Sequence, residues 1–124
     1  MSRILRHAAI AIMLLLAGGR PALAADPLYE PQMERLLTIM GSLYLLDPMC
    51  SHIDRFWRYQ AEDLINLDQP DDDRRQRLYG AFNQGYEDYS RTYVSCTPAA
   101  RMALDTLLDE AEALTQDIHS RFAE

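Results

Sequence analysis

The sequence contains no lysine, and every one of its 12 basic residues is an arginine. Arginine presents a planar, permanently charged fork that pairs with a carboxylate through two hydrogen bonds, whereas a lysine ammonium acts as a point charge. The positive charges of the chain are therefore suited to defined pairs with its 19 acidic residues. This composition indicates no particular function by itself.

Catalytic motifs are also missing. The sequence has neither a G-x-S-x-G elbow, nor H-E-x-x-H, nor a glycine-rich phosphate loop. Only two histidines, His52 and His119, follow residue 24. Acidic residues are numerous, but a sequence does not show whether two of them lie at a catalytic separation. We therefore predict that the protein is not an enzyme.

No apolar run is long enough to span a bilayer, which takes about 20 residues. The run at residues 8–17 follows a basic start with Arg3 and Arg6 and precedes the small-residue sequence Ala22-Leu23-Ala24. This order predicts a signal peptide over residues 1–24, cleaved after Ala24. We expect a periplasmic or secreted protein with no stable membrane insertion after cleavage, in which residues 25–124 form a single helical domain.

Positive charge is scarce in the predicted mature chain. Three of the 12 arginines precede residue 25 and all 19 acidic residues follow it, so the mature net charge is −10 (9 − 19). Such a charge disfavours nucleic acid and anionic lipid as partners.

Cysteine is limited to Cys50 and Cys96, both in the predicted mature chain. An even pair in an oxidising compartment is normally bridged, and there is no C-x-x-C spacing, so we predict one structural disulfide. Closing a loop of about 46 residues would disfavour the unfolded chain by roughly 4 kcal/mol. The cluster Met49-Cys50-x-His52 offers soft metal ligands, but oxidation of Cys50 would remove the best of them. We therefore predict no metal site.

Strand-like alternation is absent, and four segments show helical periodicity instead. The first runs from residue 31 to about 46 and ends at Asp47-Pro48, because a residue before proline avoids the helical region. The second begins at a capping box formed by Ser51 and Asp54 and ends near Asp68. The third precedes Thr97-Pro98, which supply the N-cap and first residue of the fourth. Short connections predict an all-α, antiparallel up-and-down four-helix bundle.

Each predicted helix carries one apolar face, and Gly41 in the first helix would let another backbone come close. The third helix bears an aromatic stripe that falls within an arc of about 100°. The predicted inner residues, in chain order, are Met33, Leu36, Leu37, Met40, Leu43 and Tyr44; Ile53, Phe56, Trp57, Leu64 and Leu67; Leu78, Phe82, Tyr86, Tyr89, Tyr93 and Cys96; and Leu104, Leu107, Leu108, Ala111, Leu114, Ile118 and Phe122.

Three consecutive carboxylates, Asp71, Asp72 and Asp73, precede the third helix. A calcium loop would need a glycine at its sixth position and a glutamate at its twelfth, and neither is present. Carboxylates at a helix N-terminus are favoured by the helix dipole, so we interpret them as a helix start.

Several motifs resemble those of a known family. They are Leu28-Tyr29-Glu30-Pro31-Gln32, Trp57-Arg58, Ala81-Phe82-Asn83-x-Gly85-Tyr86 and Tyr93-x-x-Cys96-Thr97-Pro98-Ala99-Ala100. Together they resemble a family of short, exported proteins of the alphaproteobacterial type, known mainly as a domain of unknown function. The resemblance implies a periplasmic helical protein with two cysteines, and it implies no active site.

Aromatic residues are more numerous on the third helix than a small core needs, and tyrosine, tryptophan and arginine dominate protein interfaces. We therefore predict a binding or adaptor protein whose partner is another envelope protein or a cell-wall component. Tyr79, beside Arg75 at the margin of the stripe, is the expected exposed anchor. The candidate surface comprises Trp57, Arg75, Tyr79, Asn83, Gly85, Tyr86 and Tyr93.

A cofactor carrier is the alternative. Met33 near the start of the first helix and His119 near the end of the fourth would form a Met/His axial pair for haem iron. This placement looks like that of the small periplasmic four-helix b-type cytochromes. The tyrosines of the third helix would fill the cavity that a porphyrin needs, so the preferred interpretation includes no cofactor.

Overall fold

The structure is a computed structural model that describes residues 25–123. The predicted signal peptide, residues 1–24, lies outside the described residues. The described chain forms four α-helices and no strand: α1 (Glu30–Ser51), α2 (Trp57–Asp68), α3 (Asp72–Thr92) and α4 (Pro98–Phe122). The predicted all-helical fold with four helices is confirmed.

Helix α1 is the centre of the fold. It packs against each of the other three helices, and α2 also touches α3, whereas the backbone of α4 approaches only α1 within the described residues. Leu37, Ile39 and Leu43 of α1 are completely buried. The core is therefore arranged around one helix rather than shared equally by four.

Helices α1 and α3 run in the same direction. Near their starts, Arg74 Nε donates to Glu30 Oε2 at 2.5 Å, and just beyond their ends Cys50 is bonded to Cys96. Because both contacts join residues about the same distance along the two helices, the pair lies side by side over its whole length.

Helices α2 and α4 run opposite to α1. The start of α2 meets the end of α1, where Trp57 Nε1 donates to Asp47 Oδ2 at 2.8 Å. The end of α2 meets the start of α1, where the Tyr29 hydroxyl donates to Asp68. The ring of Phe122, at the end of α4, lies 5.7 Å from that of Tyr29. The helices thus alternate in direction along the chain.

Two glycines allow α1 and α3 to touch backbone to backbone. A Cβ atom on Gly41 would lie 1.9 Å from the Phe82 carbonyl oxygen, and one on Gly85 would lie 1.9 Å from that of Thr38. The Ser42 hydroxyl lies 3.1 Å from the carbonyl oxygens of both Thr38 and Gly85. The prediction that Gly41 admits a second backbone is confirmed.

The predicted end of the first helix is wrong, because α1 continues through Asp47 and Pro48 to Ser51. A proline inside a helix removes one backbone hydrogen bond. Here Asp47 is fully buried and accepts from Trp57 Nε1 at 2.8 Å and from Arg55 Nη1 at 3.1 Å. Tertiary contacts made by Asp47 therefore override the local preference before proline.

The predicted capping box is also wrong. Residues 52–56 are not helical, and α2 begins at Trp57. Ser51 donates its hydroxyl to the Asp47 carboxylate instead of capping α2, and Asp54 Oδ1 accepts from the Phe56 amide at 2.7 Å. The turn formed by Asp54 thus competes with a helix start at Ser51.

The predicted inner face of the second helix needs correction. Ile53 and Phe56 lie in the linker and are exposed, and Leu67 is 82% exposed at the end of α2. Helix α2 instead buries Ala61 and Ile65.

Helix α3 ends at Thr92, so Tyr93 and Cys96 fall in the following linker. Leu78 and Phe82 of the aromatic stripe are buried, whereas Tyr86 is 38% exposed. The stripe is therefore core only in its first half.

The predicted starts of the third and fourth helices are confirmed. Asp71 Oδ1 accepts from the Arg74 amide at 2.8 Å as the N-cap of α3. Thr97 Oγ1 accepts from the Ala100 amide at 3.1 Å, and Pro98 is the first residue of α4.

The predicted disulfide between Cys50 and Cys96 is confirmed, with their Cα atoms 5.1 Å apart. Its position differs from the expectation, because it joins the end of α1 to the linker between α3 and α4 rather than the start of α2 to the end of α3. The bond therefore closes the far end of the α1–α3 pair.

We expect Gly41→Ala and Gly85→Ala each to lower the free energy of unfolding by about 3 kcal/mol or more, because the added methyl group meets a backbone carbonyl that cannot move alone. Gly80→Ala is the matched control on α3: its Cβ atom would meet nothing within 4 Å, and it should stabilise by about 0.5–1 kcal/mol. Urea unfolding followed by circular dichroism measures all three. Equal effects at Gly80 and Gly85 would contradict the close approach.

Replacing both cysteines with serine should lower the free energy of unfolding by about 4 kcal/mol, since the cross-link restricts the unfolded chain. Protein isolated from the periplasm should have the intact mass of the oxidised form, two hydrogens lighter than the dithiol. Two free thiols in that sample would contradict a structural bond.

Candidate functional site

Four aromatic rings are exposed on the side of the molecule where α2 faces α3. Tyr59 and Phe56 are 65% and 58% exposed, and Tyr44 and Tyr86 are each 38% exposed. The ring centroids of Phe56 and Tyr59 lie 6.3 Å apart, and those of Tyr44 and Tyr86 lie 5.6 Å apart. We call these four residues the aromatic patch.

Two adjoining concavities run along the aromatic patch and share Tyr44, Arg58 and Glu62 as walls. The one towards α3, about 410 Å³, is also lined by Tyr79, Asn83 and Tyr86. The one towards the linker, about 390 Å³, is also lined by Asp54, Phe56 and Tyr59. Arg58 Nε lies 3.6 Å from Glu62 Oε1, and this ion pair lies where the two concavities adjoin.

Phe56 has an unusual backbone conformation for an aromatic residue, with φ 56° and ψ 39°. The left-handed region costs a residue with a side chain about 1–2 kcal/mol. The Asp54 carboxylate holds the Phe56 amide at 2.7 Å, and the Phe56 carbonyl accepts from the Gln60 amide at 3.0 Å. Local hydrogen bonds thus fix a strained turn whose ring points away from the core, and such strain is concentrated at functional sites.

The structure brings three of the seven predicted surface residues together, because Tyr79, Asn83 and Tyr86 line one concavity. The predicted anchor, Tyr79, is half-buried and packs on the core. Gly85 is buried against Thr38, so its place in a partner surface was wrong.

The other three predicted residues are dispersed. Arg75 Nη1 donates to Asn66 Oδ1 at 2.7 Å. Tyr93 is half-buried, with its ring centroid 5.8 Å from that of Tyr89. Trp57 is the first residue of α2, where its indole N–H donates to Asp47.

Sequence reasoning missed Tyr44, Phe56 and Tyr59 as surface residues. Tyr44 and Phe56 fit helical periodicity and were assigned to inner faces. No pattern in the sequence indicates the left-handed turn at Phe56 that exposes its ring.

A second feature is an apolar groove between α2 and α4, which we call the α2–α4 groove. Its floor is α1, and it consists of two concavities of about 620 and 310 Å³ that share Leu36, Leu64 and Thr115. The remaining lining residues are Met40, Trp57, Gln60, Leu108, Ala111, Glu112 and Gln116 in the larger and Tyr29, Met33, Asp68, Ile118, His119, Phe122 and Ala123 in the smaller.

Trp57 forms one end of this groove, and its orientation is fixed. Its indole N–H donates to the buried carboxylate of Asp47, which also accepts from Ser51 Oγ and Arg55 Nη1. Because Trp57 is the only tryptophan in the chain, its fluorescence reports on this end of the groove.

The other end brings Met33 and His119 into the lining of one concavity, as the haem alternative requires. Met33 is buried and His119 is exposed. No α3 residue lines this concavity within residues 25–123. The expectation that α3 tyrosines would fill it was therefore wrong, because α3 packs elsewhere on α1.

A buried ion cluster joins the starts of α1 and α3 to the end of α2. Arg74 pairs with Glu30 and Asp68, and the Tyr29 hydroxyl donates to Asp68. Burial opposes the charge of Arg74, but its hydrogen bonds to Glu30 and Asp68 raise its pKa overall. The hydrogen bond to Asp68 and burial raise the pKa of Tyr29. The opposite charges join the three helix ends, although the buried Glu30 Oε1 and Arg74 Nη2 atoms have no hydrogen-bond partner within residues 25–123.

The cluster Met49-Cys50-x-His52, considered above as a metal site, lacks its best ligand. Cys50 is buried in the disulfide, so Met49-Cys50-x-His52 presents no thiolate. Across residues 25–123, no three histidine, cysteine, aspartate or glutamate side chains are grouped so that they could hold a metal ion.

Residues 25–123 include no helix that is both long enough and apolar enough to cross a membrane.

Fold and surface together define a small all-helical, disulfide-bonded protein with an aromatic patch and an open apolar groove. Residues 28–122 match the family described as "Protein of unknown function (DUF2385)", and the chain belongs to this family. No curated protein and no solved structure matches the chain.

We expect Asp47→Ala to lower the free energy of unfolding by about 3–5 kcal/mol, because Arg55 would lose its buried partner and Trp57 its acceptor. Asp63→Ala, at an exposed position on α2, removes the same charge and should change stability by less than about 0.5 kcal/mol. Urea unfolding followed by Trp57 fluorescence gives both values. Similar values for the two variants would show that the contacts of Asp47 with Arg55 and Trp57 do not hold the start of α2 in place.

Proposed function

We propose that this chain is an exported, non-enzymatic binding protein that docks onto another protein of the cell envelope through the aromatic patch. The observation that carries the proposal is Phe56, an aromatic residue in a left-handed turn with its ring 58% exposed. His52 and Gln69 adopt the same left-handed conformation where α1 and α2 end, so the backbone at Phe56 fits the reversal between two helices. The exposed ring is the feature that the reversal does not need, and a partner that buries the ring would gain its apolar area.

The composition of the aromatic patch supports this proposal. Tyrosine and phenylalanine bury a large area on binding and have few side-chain torsions to fix, so they bind at low entropic cost. Tyr44 and Tyr86 support one another through ring contacts and are therefore preorganised. The Arg58–Glu62 pair between the two concavities would give a partner polar contacts that fix its orientation.

Export and charge support the choice of partner. The basic, apolar and small-residue order of residues 1–24 favours export to the periplasm, and disulfides persist in oxidising compartments. A mature net charge of −10 disfavours nucleic acid. A cell-wall component remains the other partner class, since aromatic rings also stack on sugars.

One specific observation favours a second candidate, a haem carrier, because Met33 and His119 line the same concavity. The absorption spectrum of protein purified from the periplasm tests it. A Soret band that Met33→Ala and His119→Ala each alter would replace the binding proposal, and a colourless protein would remove the candidate.

We expect Phe56→Gly to raise the free energy of unfolding by about 1 kcal/mol, because glycine adopts the left-handed region without strain. The same change should abolish partner binding, since it removes the exposed ring. A photo-crosslinking amino acid at Tyr59 should capture an envelope protein in cells, and Phe56→Gly should abolish that product.

Leu67 is the matched control, because it is also on α2, is 82% exposed and lies outside the aromatic patch. A crosslinker at Leu67 should not capture the same protein. Capture that is equal from Tyr59 and Leu67, or that survives Phe56→Gly, would refute the patch as the binding surface.

A further inference from the structure

The two concavities along the aromatic patch have aromatic walls. The one towards α3 is lined by the rings of Tyr44, Tyr79 and Tyr86. The one towards the linker is lined by those of Tyr44, Phe56 and Tyr59. Because Tyr44 lines both, the two recesses are adjacent. An aromatic-lined groove of this kind is the surface on which proline-rich segments dock.

Other conformations of a bound peptide fit this surface poorly. Residues 25–123 form helices and no strand, so the described chain offers no sheet edge to which a partner could add a strand. A partner helix would need one continuous apolar trough, but the Arg58–Glu62 ion pair lies where the two concavities adjoin. The apolar face of a helix would cover this pair and remove it from water, which costs free energy.

A polyproline II segment avoids that cost. It has three residues per turn, so prolines at positions i and i+3 lie on one face, and its backbone makes no internal hydrogen bonds. Two such prolines can occupy the two concavities while the carbonyl groups between them stay near polar side chains. Arg58 Nε is 3.6 Å from Glu62 Oε1, which is longer than an ordinary N–H···O hydrogen bond. Arg58 and Asn83, which both line the concavity towards α3, can therefore donate to those carbonyl groups.

The charge of the concavities selects the residue that flanks the prolines. Their lining includes two carboxylates, Asp54 and Glu62, and one arginine, Arg58. Asp54 is exposed at the linker end. The acidic excess of the predicted mature chain acts in the same direction, so the surface favours a basic segment over an acidic one.

We propose that the aromatic patch, with Tyr79 and Asn83, binds a proline-rich segment of its partner in the polyproline II conformation. Prolines at i and i+3 occupy the two concavities, and a neighbouring arginine or lysine pairs with Asp54 or Glu62. Such a segment already has its bound conformation in solution, so it loses little entropy on binding. This inference rests on the proposed function and states the chemistry of the partner.

Three labelled peptides test the proposal with the full mature protein. The first has prolines at i and i+3 and an arginine at each end, the second has alanines in place of the prolines, and the third has glutamates in place of the arginines. Binding is measured by fluorescence anisotropy of the label. The second and third should bind at least about tenfold more weakly than the first. The dissociation constant of the first should rise with salt.

Two matched pairs of variants locate the site. Tyr59→Ala removes an exposed ring of the aromatic patch and should weaken binding of the first peptide at least about tenfold, whereas Leu67→Ala, also at an exposed position on α2, should not. Glu62→Gln should weaken binding more than Asp63→Asn, although each removes one negative charge from α2. None of the four side chains is buried, so all four variants should fold, which circular dichroism checks.

Three results would overturn the proposal: no binding of the first peptide, equal binding of the alanine peptide, or equal effects of Tyr59→Ala and Leu67→Ala. Soluble cell-wall fragments that bind in place of the first peptide, and no longer bind after Tyr59→Ala, would assign the aromatic patch to a sugar and also overturn it.

Competition separates failure of this inference from failure of the proposed function. Added in excess to a periplasmic extract, the first peptide should reduce the product captured by the crosslinker at Tyr59. Capture that Phe56→Gly abolishes but the peptide does not reduce would leave the aromatic patch as the binding surface and overturn only its proline-rich partner. The absence of any captured product would contradict the proposed function itself.

Discussion

The fold depends on the close approach of the α1 and α3 backbones, where Gly41 faces Phe82 and Gly85 faces Thr38. Each glycine lies where a side chain would meet the carbonyl of the other helix, so the two backbones approach more closely than ordinary helix packing allows. This contact holds a parallel pair together, and the Glu30–Arg74 ion pair and the Cys50–Cys96 disulfide fix its two ends. Helices α2 and α4 each pack on α1, and their backbones do not come close to each other within residues 25–123.

Much of this fold could be predicted from the sequence, and the errors at the end of α1 and the start of α2 have a common cause. Helical periodicity, the caps at Asp71 and Thr97 and the pairing of Cys50 with Cys96 are local or compositional signals, and the structure confirms them. The errors lie between residues 47 and 57, where the side chain of Asp47 recruits Ser51, Arg55 and Trp57. Those contacts exist only after folding, so a proline rule and a capping rule both failed there.

The candidate site was harder to predict than the fold. Tyr79, Asn83 and Tyr86 were predicted as part of a surface on the third helix, but the other residues of the two concavities come from α1, α2 and the linker. The α2–α4 groove has no sequence signal at all. Its floor residues Met33, Leu36 and Met40 were predicted as inner residues and are buried, so periodicity does not distinguish the floor of a groove from the core.

Within residues 25–123, the backbone of α4 comes close to that of α1 but not to those of α2 and α3. Proteins open in separate cooperative units, and a unit with a single interface opens at lower free energy than the whole. The amides of α4 should therefore exchange with deuterium before those of α1 and α3, even though α4 is the longest helix of the described chain, with 25 residues. The disulfide joins the linker just before α4 to the end of α1, so α4 remains tethered at its start even where its own backbone hydrogen bonds open.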